Sequence, residues 1–78
     1  MEHHKSSTPK YPENAQLGKQ LKYRDRIEIA KNTPYSIHYI RNVLSGSRNN
    51  EDIITYAVKI ITTRNKLKRE ISRLMKDE

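Results

Sequence analysis

An all-α fold is predicted: three short helices forming a helix-turn-helix core, then a long amphipathic C-terminal helix. Three observations predict it. Ile40, Val43 and Leu44 stand at i, i+3 and i+4, the spacing of one helical face. Ile53, Ala57, Ile60, Arg64, Leu67, Ile71 and Leu74 follow at steps of 4, 3, 4, 3, 4 and 3, and no Pro or Gly interrupts the chain between residue 51 and Lys76. Pro34 and Gly46, finally, punctuate the middle of the chain where two short helices must stop.

Length and charge narrow the function. Seventy-eight residues, 33% of them hydrophobic, support one small core, because so short a chain buries only about 60% of its unfolded surface. With no cysteine, disulfides, cysteine-based zinc sites and thiol redox chemistry are excluded. No apolar run reaches the roughly 20 residues of a membrane span, and the polar start lacks the apolar core of a secretion signal, so the expectation is a soluble, cytoplasmic protein. Sixteen Lys and Arg against nine Asp and Glu leave a net charge of +7, which points to a polyanionic partner, nucleic acid first. A merely solubilising surface charge is the plainer explanation of the same excess.

Residues 1–14 hold two of the three prolines and almost nothing apolar, and read as a disordered N-terminal arm. His3 and His4 have no third ligand at a useful spacing, so no metal and no other cofactor is expected. Lys5 and Lys10 suit an arm that brushes phosphates. A domain over 15–63 follows. Its first helix is expected from Ala15 to Tyr23, where Leu17 and Leu21 share a face and Gly18 weakens the helix. Asp25 is expected to open the second, with Glu28 three residues on in capping-box spacing. Ile27, Ala30 and Lys31 lie on one side of it and Ile29 on another, and Ala30 is small enough for a close helix crossing. Pro34 ends this helix, Ser36 caps the third, and Gly46 stops it. Asn50 is placed to cap the fourth, whose first turn carries Glu51 and Asp52 at the positive end of its dipole.

The N-terminal half of the fourth helix is suited to core packing. Its extension over 64–78 is more charged, and Leu67, Ile71 and Leu74 have no other evident cover, so they are assigned to dimerisation in a homodimer. The competing expectation is that this segment folds back along its own domain. Arg64, at a seam position, would weaken the pairing but fix its register.

Ile29-Ala30, Tyr35-Ser36, Ile40 and Val43-Leu44-Ser45-Gly46 together resemble the helix-turn-helix of phage-repressor-type (Xre/Cro-like) and lactose-repressor-like DNA-binding domains. The resemblance covers roughly residues 17–50 and is closest over Tyr35 to Arg48. It implies a recognition helix, about 36–45, that enters the major groove of double-stranded DNA N-terminus first. Ser36, Ile37, His38, Arg41 and Asn42 then meet bases. Asn42 suits adenine, Arg41 guanine or phosphate, and Ile37 a thymine methyl. Arg26, Tyr39, Ser47 and Arg48 suit phosphates. The family has glycine with positive φ where Pro34 stands, which proline cannot supply. Either Asn32 takes the left-handed conformation or the turn changes.

Plainer readings exist for each residue. Ile37 suits a core, Tyr35 and Tyr39 suit packing, and Lys66, Lys68, Arg69 and Arg73 suit a solvated face. The expected function is a small transcriptional regulator that binds DNA sequence-specifically. The alternative is a protein-interaction module, antitoxin- or adaptor-like, that uses the basic amphipathic C-terminal helix. RNA binding lacks an aromatic stacking platform. No nucleophile, base and orienting group can be assembled, so neither an enzyme nor a small-molecule substrate is expected, and no membrane partner either.

Overall fold

The structure is a computed structural model that describes residues 9–76. Four helices, α1 (Pro12–Gly18), α2 (Tyr23–Asn32), α3 (Ile37–Leu44) and α4 (Glu51–Lys76), make up an all-helical fold with a long C-terminal helix. Both α3 and α4 pack against each of the other three helices, so α3 is clamped on its inner side from several directions.

The core follows the spacing read above, with one exchange. Ile40 and Val43 of α3, and Ile53 and Ala57 of α4, are wholly buried, and Leu44 nearly so. On α2 the fully buried residue is Ile29, whereas Ile27 is exposed and Ala30 half-buried against the core. Of the side that carries Ile27, Ala30 and Lys31, Ala30 alone packs on the core, and Ile29 on the other side is the deepest residue of the helix. Each fully buried aliphatic side chain is worth about 1.5–3 kcal/mol, and in so small a domain each of these few carries a large share of the total.

Helix boundaries shift at the N-terminal side. α1 starts at Pro12, whose fixed φ suits a first helical position, and ends at Gly18 instead of running to Tyr23. Residues 12–14, read as part of the arm, are helical. The rest of that arm to residue 8, with His3, His4 and Lys5, lies outside the described residues. α2 starts at Tyr23, so Asp25 is its third residue; its carboxylate accepts the Lys22 amide at 2.7 Å. Glu28 lies a turn further in and has no part in that cap.

The caps of the later helices stand where expected. Ser36 Oγ accepts the Tyr39 amide at 3.1 Å, and Asn50 Oδ1 accepts the Ile53 amide at 3.1 Å. After α3, Gly46 has φ +93°, the Gly46 amide donates to Val43 O at 3.1 Å, and the Ser47 amide donates to Asn42 O at 3.1 Å, a Schellman ending.

The α2–α3 connection resolves the question posed by Pro34. Thr33 is extended, with φ −137° and ψ 164°, and among the described residues only Gly46 has positive φ. Asn32 remains helical, so the turn is the altered one. Side chains replace a left-handed cap: Thr33 Oγ1 donates to Ile29 O at 2.7 Å, and Asn32 Nδ2 donates to Glu28 O at 2.8 Å.

Candidate nucleic-acid interface

Helix α3 divides cleanly between an inner and an outer face. Ile40, Val43 and Leu44 take the inner one, which by helical periodicity leaves His38, Arg41, Asn42 and Ser45, at i, i+3, i+4 and i+7, on the outer one. His38, Arg41 and Ser45 are exposed and Asn42 is half-buried. Together with Tyr23, Arg26 and Leu44 these side chains line a shallow cavity of about 560 Å³ between the start of α2 and α3. Three of the five assigned base-contacting residues, His38, Arg41 and Asn42, are thus brought together. Tyr23 and Ser45 join them without having been singled out. Tyr23 escaped because it was placed at the end of the first helix, not on the first turn of α2, where its ring is exposed.

Ser36 and Ile37 sit at the N-terminal end of the same helix. The Ser36 hydroxyl oxygen is committed to its cap but retains its proton for donation. Ile37 is half-buried, and it is not one of the residues packed on the core. Besides Arg26, this surface carries the Arg41 guanidinium, the Asn42 amide, the His38 imidazole and the hydroxyls of Tyr23, Ser36 and Ser45, the last donating to Asn42 O at 3.0 Å, a set that can address base edges and phosphate oxygens alike.

The residues assigned to phosphate fare differently. The Arg26 guanidinium donates to three carbonyls, Gly18 O at 3.0 Å, Leu21 O at 3.1 Å and Lys22 O at 3.2 Å. Its fork ties the end of α1 and the connector to α2, which gives Arg26 a structural role within its own chain. Tyr39 is half-buried, its ring 5.6 Å from that of Tyr35 and its hydroxyl 3.5 Å from Asn50 Nδ2. Tyr35 donates its hydroxyl to Asp52 at 2.9 Å. This tyrosine pair docks the first turn of α3 onto the start of α4, which again gives Tyr39 a packing role. Ser47 and Arg48 are exposed in the exit loop; Ser47 Oγ and both amides bond Asn42 O, which leaves the Arg48 side chain at the surface.

The exit loop is held from a direction that sequence spacing did not reveal. Asn14 on α1 is buried and donates to Arg48 O at 3.2 Å and to Asn49 Oδ1 at 2.9 Å, while the Tyr11 amide donates to Gly46 O at 2.8 Å. A lone Asn in a polar segment carries no local signal for a partner 34 residues away.

On the other side of the domain, Arg64 donates to Asp25 at 2.8 Å. Arg64 thus has an ion-pair partner within its own chain. Burial by itself would push the Asp25 carboxyl up. The hydrogen bond from Arg64, the Lys22 amide and the charges of Arg64 and Arg24 outweigh it and hold the carboxyl below its usual range. The Arg64 guanidinium is raised in turn by its bond to Asp25. Comparison with known families, with curated proteins and with solved structures gave no match.

Proposed function

We propose that the protein binds double-stranded DNA with sequence preference and acts as a small transcriptional regulator, presenting the outer face of α3 to the major groove. The observation that carries this reading is the division of α3: a wholly apolar face locked into the core, and a polar, cation-bearing face open to solvent. A helix about 10–12 Å across with its side chains fits a major groove about 12 Å wide. The chain's net charge of +7 supplies the attraction to phosphate. Arg41 and Asn42 carry the readout, with His38 and Ile37 beside them. Arg48 and Ser47 contact the backbone.

The test is selection of bound sequences from random duplexes at stated salt, repeated with Arg41→Ala and Asn42→Ala. Each base contact is worth about 1–3 kcal/mol, so each variant loses preference at one position of the site by roughly 5- to 150-fold while its helical content is unchanged. Unaltered selectivity in both variants would sink the assignment of α3. The logarithm of the wild-type binding constant falls linearly with log salt, at about −0.9 per phosphate contacted. The competing reading, docking of α4 on another protein, draws on the exposed Leu67, Ile71 and Leu74. It predicts no salt-dependent duplex binding.

A further inference from the structure

We infer that two copies of the chain pair through α4 in antiparallel fashion, each copy's projecting C-terminal turns filling a cleft at the base of the other's tail. Residues 65–76 are exposed at every position, yet they include Leu67, Ile71, Leu74 and Met75, which are 49–72% exposed. Three helical turns without tertiary cover are marginal in water by themselves, so this segment is completed by something that covers its apolar strip.

The shape of the molecule says what that is. The strip runs from Leu67 back to Ile60, interrupted there by Arg64, and enters a recess of about 450 Å³ between α2 and α4, whose lining mixes Tyr56, Ile60, Thr63 and Leu67 with Glu28, Lys59 and Arg64. One helix thus carries a projection and, next to it on the same side, a recess. A two-fold axis near Leu67 places each projection in the other's recess, the self-complementary contact that such an axis requires. Parallel pairing would set tail against tail and leave both recesses empty.

Charge agrees with a second copy. Lys66, Arg69, Arg73 and Lys76 follow one another at steps of 3, 4 and 3, and helical periodicity places them on the side away from the strip. Pairing therefore keeps these cations in solvent. Lys68 and Glu70, of opposite sign, border the strip. In the recess itself Arg64 is held by Asp25, and Lys59 and Glu28 bring one charge of each sign. The inference is independent of the DNA reading, and its test uses no DNA.

Sedimentation equilibrium of the full chain, with and without Ile71→Glu plus Leu74→Glu, provides that test. Both side chains are exposed, so the substitutions leave the helical core intact. The expected result is a wild-type dimer and a monomeric variant, with wild-type helicity falling on dilution as the tail is released. Because the chain has no cysteine, Lys76→Cys permits a single spin label per copy. Antiparallel pairing about Leu67 sets the two labelled positions roughly 27 Å apart along the axis, at 1.5 Å per residue. In parallel pairing they would lie about 10 Å apart, the spacing of packed helices. A wild-type monomer at all concentrations, a label separation near 10 Å, or a monomer that gains helicity only on vesicles of anionic phospholipid would each overturn the inference.

Discussion

Two residues show how much of this fold turns on single atoms. A Cβ added to Gly18 would stand 2.0 Å from the Leu44 carbonyl oxygen, because the end of α1 and the end of α3 meet backbone to backbone there. Helix propensity alone favours Gly18→Ala by up to about 1 kcal/mol. The contact reverses the sign: the substitution is expected to destabilise by about 1–3 kcal/mol, the usual cost of overpacking, and urea denaturation decides between the two. Arg26 makes a second case. Three carbonyl bonds from one guanidinium predict that Arg26→Ala lowers stability by about 1–2 kcal/mol, and that Arg26→Lys, with no planar fork, recovers little of it. Were Arg26 instead only a phosphate contact, thermal melting would be unchanged and DNA affinity alone would fall. The charge of Arg26 was plain in the sequence. Its carbonyl partners were not, since backbone atoms leave no mark on residue identity.

Elements were legible in proportion to how local their signals are. Ser36, Gly46 and Asn50 act within three residues of where they stand, and each caps or ends the helix that spacing assigned to it. The stripe on α3 is equally local, and Ile40, Val43 and Leu44 are buried as its period requires. Boundaries set by tertiary contact were misplaced. α1 stops at Gly18, where the Leu44 backbone leaves no room for a Cβ; the start of α2 was missed for a local reason, since the Asp25 carboxylate turns back three residues to accept the Lys22 amide. Pro34 was correctly read as incompatible with a left-handed turn. That Thr33 and Asn32 would satisfy the open carbonyls through their side chains depended on rotamers the sequence leaves free.

Across the whole molecule the decisive link is Asp25–Arg64, 39 residues apart, which joins the start of α2 to the point where α4 leaves the core. Asp25 is depressed in the folded protein, so the stability it contributes is present above its unfolded value of about 3.9 and is lost as pH falls through the folded one. Wild type is thus expected to exceed Asp25→Asn in stability at pH 7, and thermal melts should show the margin closing as the solution is acidified below pH 4. A margin equal at pH 7 and pH 3 would mean that the carboxylate's charge adds nothing. Beyond Arg64 the chain extends as a tail that lengthens the Cα trace to 56 Å against 33 and 18 Å in the other directions. By itself the amino-acid sequence determined the helical class, the buried faces of α3 and α4, the caps of α3 and α4 and the polar outer face of α3, all products of spacing within a few residues. Only the tertiary structure decided that Arg26, Tyr39 and Arg64 spend their polar groups inside the chain, that Asn14 holds the exit loop, and that a recess lies beside the uncovered tail. Each of these depends on which distant backbone and side-chain atoms the packing of four helices brings within bonding reach.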